Sequence, residues 1–359
     1  MANKRLFDLP QTRGSFQIRG HVNGVERQNF YTEKTTKNGN LFRRVNFGTS
    51  YEKDKTVYLS LNGMPREFVY YSKRDKESGK IDTQKVRWED RYKFNSEGYR
   101  MIGVNVGLQQ VRNENGSVSN VIKTLAEFDA CEYLKTYLED EMSIFASGNL
   151  EFSSYTTDTG EIRRQTSFTP AKIYASKGAI DFDADNYKPQ NTFVQNIVYR
   201  DIQAEIEDDK STGRYILSAY IVNYNSIEPV EFIIKDKALA SSCKKYMKPY
   251  WMFEVNGRIE VEHFATDVVS VASPWGTPNP NKRLEHSSKT EMVITGVECD
   301  ESTKEPIIDK ETYTEKNINA AFAAIQNANH AESNFGEPEK STVNWGTDAD
   351  SDVDEDIPW

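Results

Sequence analysis

Aromatic and cationic side chains are interleaved along residues 42–100 of the chain. Such a mixture suits the binding of an unpaired polynucleotide strand, because cations neutralise phosphates and release counterions while aromatic faces stack on exposed bases. Since neighbouring residues of a β-strand point to opposite faces, roughly half of these aromatic side chains must belong to the core. Phe42, Tyr70, Trp88 and Tyr92 are the aromatic residues expected at the surface. The residues of this segment predicted to contact an unpaired polynucleotide strand are Phe42, Arg43, Arg44, Phe47, Tyr70, Lys73, Arg74, Trp88, Arg91 and Tyr92.

The charges of the chain are distributed unevenly. The net charge is -10, yet the first 100 residues contain 21 Lys and Arg against 12 Asp and Glu. The last 30 residues contain nine acidic side chains and one basic side chain. This asymmetry favours a polyanion-binding surface near the front and a separate acidic element at the end. Solvated charged faces with no partner are the alternative interpretation.

A hairpin is predicted over residues 148–174. Its first strand begins at Gly148, the chain turns at residues 158–160, and a second strand returns from Ile162. Three residues of this hairpin are also predicted to contact the polynucleotide strand: Tyr155, Arg163 and Arg164.

The segment around this hairpin, residues 121–175, resembles the bacterial single-stranded DNA-binding protein family. In that family a helix leads into a Gly-x-Leu strand, and a long hairpin carries aromatic and basic residues. The matching positions are Gly148, Leu150, Tyr155, Thr157, Asp158, Gly160, Arg163 or Arg164, and Thr166. The resemblance implies an OB fold and binding of single-stranded DNA.

The end of the chain is similar to the tail of the same family, in which acidic residues precede a short apolar tip. Trp359 stands where the family usually has Phe, which keeps an aromatic end but changes its fit to a partner. The resemblance implies that this tip recruits a replication or recombination protein such as a polymerase, helicase or recombinase. The predicted partner-binding residues are Asp352, Asp354, Glu355, Asp356, Ile357, Pro358 and Trp359.

Period-two alternation dominates the rest of the chain and predicts a mainly β protein. Helices are expected over residues 125–138, 237–247 and 311–327, where apolar residues recur at helical spacing. Similar stretches follow the first two helices, beginning at Gly148 and at Gly257. We therefore expect two OB-fold-like five-stranded antiparallel barrels with few helices and a disordered acidic C-terminal tail.

The corresponding domain boundaries are also predictions. The first OB-like domain, with a long insertion, is expected to contact DNA over residues 14–177. A second OB-like domain is expected over residues 191–300, a helical segment over 308–329, and the acidic tail over 330–359.

The sequence contains no GxxxxGK[ST], HExxH or GxSxG motif, and no Cys and His spacing typical of zinc. We therefore expect a protein that is not an enzyme and needs no metal or cofactor. No apolar run long enough to span a membrane and no signal peptide are apparent, and the three cysteines suit a reducing compartment. A cytoplasmic protein is expected, in the host bacterium if a phage encodes it.

The predicted function is to coat and protect single-stranded DNA during DNA replication, recombination and repair, in the manner of a bacteriophage protein. Two alternatives remain at this point. One is an annealing or recombination mediator protein, and the other is an OB scaffold that binds no nucleic acid.

Overall fold

The computed structural model describes residues 5–157, 159–207, 209–265, 286–300, 302–303 and 305–334. The predicted partner-binding tip, residues 352–359, lies outside the described residues. So does the part of the predicted tail that follows residue 334.

Strands make up most of the regular structure, which confirms the prediction of a mainly β protein. In the described residues they are β1 (Gly14–Asn23), β2 (Tyr31–Thr35), β3 (Leu41–Glu52), β4 (Lys55–Gly63), β5 (Phe68–Arg74), β6 (Ile81–Arg87), β7 (Arg100–Met101), β8 (Val104–Gly107), β9 (Gln110–Arg112), β10 (Val118–Asn120), β11 (Lys123–Leu125), β12 (Ser143–Thr156), β13 (Ile162–Ala175), β14 (Gln190–Glu207), β15 (Lys210–Val222), β16 (Ile227–Ile234), β17 (Met252–Ala265), β18 (His286–Val297) and β19 (Ile308–Asp309). The helices are α1 (Glu127–Tyr137), α2 (Lys237–Tyr246) and α3 (Glu315–Asn334), and a single 3-10 turn covers Trp88–Asp90.

The strand pairings of the first half form a closed circuit. β1 pairs with β3, β3 with β4, β4 with β13 in parallel, β13 with β12, and β12 again with β1. The alternation read from the sequence explains why these segments are strands. In β4, for example, Val57, Leu59 and Leu61 are buried, whereas Tyr58 between them is exposed.

The second half repeats this pattern of pairings. β14 pairs with β15, β15 with β16, β16 with β18 in parallel, β18 with β17, and β17 with β14. The helix α2 precedes β17 as α1 precedes β12. Its N-terminus is capped by Asp236, whose side chain accepts hydrogen bonds from the backbone of Ala238 and Leu239.

The sequence predicts two separate barrels, but the strands of the two halves belong to one sheet. An antiparallel ladder between β1 and β14, from Gly14 opposite Gln195 to Arg19 opposite Gln190, joins all of these strands into one large mixed sheet. One hydrophobic core runs through both halves, with Phe16 and Phe47 from the first and Phe193, Phe232 and Phe253 from the second. The third helix ends at Asn334, so it extends beyond residue 330, where the tail was expected to begin.

The segment between β4 and α1 contains a small separate sheet in the order β6-β5-β7. One side of this sheet buries Val69, Tyr71, Val86 and Met101 against Ala126 at the start of α1. The β5–β6 hairpin therefore belongs to a three-stranded sheet that packs against the start of α1.

A charge network lies at the side of the second half. Arg214 contacts Glu205 at 3.1 Å, Glu262 at 3.3 Å and Glu291 at 2.6 Å. Lys289 lies 2.9 Å from the same Glu291 carboxylate, whose side chain is only 2 % exposed. Burial alone would raise the pKa of Glu291, but the hydrogen bonds from Arg214 and Lys289 together hold that pKa below its ordinary value.

We expect the free energy of unfolding to decrease as the pH falls below the ordinary pKa of 4.5. A carboxyl group with a lowered pKa in the folded state stabilises the protein above its unfolded pKa, and this contribution is lost as the pH falls through the folded pKa. Chemical denaturation from about pH 6 to about pH 3 measures the effect. The Glu291→Gln variant, which cannot titrate, should show a flatter dependence; equal slopes in the two proteins would contradict this assignment.

Candidate nucleic-acid interface

The outer side of the small sheet is basic and aromatic. Strand register places Phe68 opposite Arg87, Tyr70 opposite Lys85, Arg74 opposite Ile81, and Ser72 opposite Arg100. Because paired residues share a side of a sheet, these side chains all point away from the buried side. We call this surface the insertion face; its residues are Phe68, Tyr70, Arg74, Lys85, Arg87 and Arg100.

The cations of the insertion face form no ion pairs within the described part of the chain. Arg74, Lys85, Arg87 and Arg100 are exposed, and none of them forms an ion pair with any described carboxylate. The strand residues on this side of the sheet include no Asp or Glu. The Lys85 ammonium lies 3.6 Å from the centre of the Phe68 ring, and the Tyr70 ring is 45% exposed. The face therefore offers positive charge together with an accessible aromatic ring.

A second polar and aromatic surface lies on the outward side of β3 and β4. Register places Arg44 opposite Asn62, Asn46 opposite Ser60, and Gly48 opposite Tyr58. The Tyr58 ring is 50% exposed, and the Arg27 guanidinium lies 5.9 Å from its centre. We call this surface the strand face; its residues are Arg27, Arg44, Asn46, Tyr58, Ser60 and Asn62.

Arg44 is the most constrained cation of the strand face. Its Nε donates to the side-chain oxygens of Asn46 at 3.1 Å and Ser60 at 3.3 Å. Burial lowers the pKa of Arg44, because partial removal from water disfavours the charged form, and no described carboxylate pairs with it. A bound anion such as a phosphate would supply the missing counter-charge.

Two predicted contact residues are instead occupied by internal ion pairs. Arg43 lies 2.6 Å from Glu33 and 3.3 Å from Glu132, and its guanidinium stacks 4.0 Å above the Phe128 ring. Arg91 pairs with Asp129 at 2.7 Å. Both arginines attach neighbouring segments to α1, so they position the surface instead of forming it.

The predicted aromatic residues are divided between core and surface. Phe47 was wrongly predicted to contact a nucleic-acid strand. It shares the inward side of β3 with Val45, and only 1% of it is exposed. Trp88 is half-buried between Phe128 and the Arg91 guanidinium. The ring of Tyr92 is 49% exposed, but its hydroxyl donates to Asp129 at 2.6 Å.

The remaining predicted residues lie nearer to solvent. Phe42 is half-buried beside Lys34, and Lys73 is exposed, with its ammonium donating to the Glu97 backbone at 3.1 Å. Tyr155 and Arg163 face each other across the β12–β13 hairpin. Arg164 is exposed on the opposite side of that hairpin.

Nine residues of the two faces are not among those predicted from the sequence: Arg27, Asn46, Tyr58, Ser60, Asn62, Phe68, Lys85, Arg87 and Arg100. The signal for Tyr58 was present, because the apolar residues Val57, Leu59 and Leu61 take the other side of the strand. The three cations of the insertion face could not be assigned a side without knowing how β5, β6 and β7 pair.

The corresponding surface of the second half carries the opposite charge. Register aligns Asp201 of β14, Ser218 of β15 and Glu231 of β16 across three strands, and both acids are exposed. This row of the second half therefore carries negative charge.

In the part of the chain that the structure describes, no group of three or more His, Cys, Asp or Glu side chains is arranged to hold a metal ion. Within the same residues, no helix is long and apolar enough to cross a membrane.

The family model of YorF matches residues 73–338, and the chain belongs to the YorF family. No curated protein matches the chain. Among solved structures, a deletion mutant of the single-stranded DNA-binding protein from Thermus aquaticus has a TM-score of 0.38 at 12% identity, covering 80% of this chain and 94% of that one. The wild-type form of the same protein has a TM-score of 0.37 at 12% identity, covering 80% and 93%. Similarity at this level assigns neither a fold nor a function.

Proposed function

We propose that this protein binds single-stranded DNA through the first half of the chain. The observation that carries the proposal is the insertion face, where four cations that pair with no described carboxylate share one side of the sheet with the exposed ring of Tyr70. Phosphates would bind Arg74, Lys85, Arg87 and Arg100, while bases would stack on Tyr70 and, on the strand face, on Tyr58.

A single strand fits these surfaces better than a duplex does. An exposed tyrosine ring gains from stacking only on bases that are not already stacked and paired, and this contribution is about 1–3 kcal/mol per base. Phosphate contacts and stacking carry little sequence information, so binding over these faces should tolerate most sequences.

We further propose that each closed circuit of five strands is an OB-like unit, with domain boundaries at residues 14–177 and 191–300. In an OB fold, the surface of the second and third strands and the loop between the fourth and fifth contact nucleic acids. In the first unit these positions correspond to β3 and β4 and to the tip of the β12–β13 hairpin. Charge supports the first unit as the principal binding surface, since the exposed acids Asp201 and Glu231 lie on the second.

The wider role that we propose is to coat and protect exposed strands in replication, recombination and repair, in the cytoplasm of a bacterial cell. Residues 352–359 would recruit partner proteins, since acidic residues ending in an aromatic side chain can bind a basic, apolar cleft. The acidic tip would compete with DNA for the cationic faces, and a partner that binds the tip would leave those faces free to bind DNA.

A titration of the full-length protein with labelled oligo(dT) and with a duplex of matched length, at low and at moderate salt, tests the proposal. We expect quenching of tyrosine and tryptophan fluorescence by oligo(dT), weaker duplex binding, and an affinity that falls with salt. Absence of oligo(dT) binding at low salt would refute the proposal and favour a scaffold. Accelerated pairing of complementary strands in the same samples would favour an annealing protein.

Replacing Tyr58 or Tyr70 by alanine should lower the affinity for oligo(dT) by about fivefold to tenfold each, because each variant removes one stacking surface. The matched control is Tyr246→Ala, since Tyr246 is 59% exposed on α2 of the second half. Fluorescence anisotropy at fixed salt measures the three affinities. Equal losses in all three variants would show that the two faces have no special role.

A further inference from the structure

A cavity of about 260 Å³ lies where the β12–β13 hairpin of the first half meets β14, β15 and β16 of the second. The hairpin contributes Phe152 and Arg164 to its lining. The second half contributes Arg200, Glu228, Pro229 and the exposed Glu231. Its volume lies just below the range of roughly 300–1,000 Å³ found for ligand sites, which suits a group of the size of one nucleobase.

Glu228 is the unusual residue of this cavity. Only 6% of it is exposed, yet its carboxylate forms no hydrogen bond or ion pair with any described residue. Its oxygens are not among the fully enclosed polar atoms that lack a partner, so they reach the open space of the cavity. Since the side chain is largely buried and its oxygens face the cavity without a donor from the described residues, the position points to a ligand that donates hydrogen bonds.

Two cations stand at the same cavity. Arg164 and Arg200 are exposed, and neither forms an ion pair with a described carboxylate, including that of Glu228. The Arg200 guanidinium lies 4.7 Å from the centre of the Tyr220 ring, a contact within the second half. Between them these arginines can offset the charge of Glu231 and bind the phosphates on either side of an inserted nucleotide.

We propose that the cavity binds one base of the single strand and prefers guanine. Guanine presents two adjacent donors, N1–H and the N2 amino group, and a carboxylate can accept both at once. Thymine presents one N–H between two carbonyl oxygens, which the carboxylate repels. Adenine and cytosine each present an amino group beside a ring nitrogen that is an acceptor.

The inference rests on the proposed binding of single-stranded DNA and adds a base preference at one position to it. The insertion face and the strand face read no sequence, whereas Glu228 would make one nucleotide of the bound strand distinct. Phe152 and Pro229 line the cavity and supply the apolar surface against which the base would pack.

The test compares oligo(dT) with the same oligonucleotide carrying a single central dG, dA, dC, deoxyinosine or 7-deaza-dG. For the unmodified protein we expect the dG substitution to raise affinity about tenfold, at the lower end of base-readout effects. The 7-deaza base should behave as dG does, because it keeps the Watson–Crick edge. Deoxyinosine, which lacks the N2 amino group, should give an intermediate affinity.

The decisive variant is Glu228→Gln, which has the same shape but cannot accept two parallel hydrogen bonds from guanine. It should lose the dG preference and bind oligo(dT) at least as tightly as the unmodified protein, because the carboxylate that repels thymine is removed. Its melting temperature should not be lowered. The matched control is Glu151→Gln, which removes one exposed carboxylate from β12 outside the cavity and should keep the preference.

The outcomes separate the two proposals. If the unmodified protein binds oligo(dT) but shows no dG preference, the base site alone is overturned. The same holds if the preference persists in Glu228→Gln. Failure to bind any oligonucleotide overturns the proposed function. In that case saturation-transfer NMR with free dGMP and dTMP decides the cavity separately: binding of dGMP that Glu228→Gln abolishes supports the site, and its absence overturns it.

Discussion

Replacing Arg74, Arg87 and Arg100 together by alanine should lower the affinity for oligo(dT) about 100-fold at roughly 0.1 M salt. The three arginines lie on one side of the small sheet and have no acidic partners among the described residues, so their charge is available to phosphates. Each phosphate contact to a single strand contributes about 0.7 to the slope of log affinity against log salt. The triple variant should therefore flatten that slope by about 2, which distinguishes lost phosphate contacts from misfolding.

The chain offers a control with the same change of net charge. Lys237, Lys244 and Lys245 are exposed on α2 in the second half and belong to neither face. Their triple alanine variant should retain the affinity within about threefold and keep the salt slope, because salt screens charges beyond a Debye length. Fluorescence titrations at several salt concentrations measure all three proteins. An equal loss in both variants would mean that net charge, not the insertion face, governs binding.

The second large effect concerns two glycines at corresponding places in the two halves. A Cβ at Gly148 would lie 2.0 Å from the backbone oxygen of Thr169, and a Cβ at Gly257 would lie 2.0 Å from that of Val293. Each glycine also adjoins a register shift in its ladder. Alanine at either position should reduce the free energy of unfolding by about 3 kcal/mol, since backbone must move to relieve the overlap.

Urea denaturation of Gly148→Ala and Gly257→Ala measures this loss. The control is Gly178→Ala, because Gly178 has open space around the position of a Cβ. That variant should be within about 0.5 kcal/mol of the unmodified protein. Full stability in either test variant would show that the ladder adjusts easily, and that these glycines do not set the close approach of the strands.

Local patterns in the sequence predict much of the fold. The apolar stripe over residues 125–138 marks α1, and Asp236 followed by an amphipathic run marks α2. Alternation in residues 57–61 marks β4 and also indicates its exposed side. The similar stretches at Gly148 and Gly257 correspond to strands that occupy equivalent places in the two circuits of pairings.

What the sequence could not predict depends on contacts between distant residues. The ladder between β1 and β14 joins segments about 180 residues apart, and no local pattern specifies that register. Arg43 and Arg91 look like free cations until Glu132 and Asp129 of α1 are placed beside them. Phe47 could have been assigned to the core from its parity with Val45, whereas Glu228 became notable only when two halves of the chain enclosed it.

The strand β1 is hydrogen-bonded along both of its edges. Ser15 to His21 pair with β12 on one edge, and Gly14 to Arg19 pair with β14 on the other. Swinging one half against the other would break this ladder, so the two halves keep a fixed separation. The number of nucleotides between a base bound at the junction and a phosphate bound on the first half would then be constant. Each protein molecule would therefore cover the same length of DNA strand.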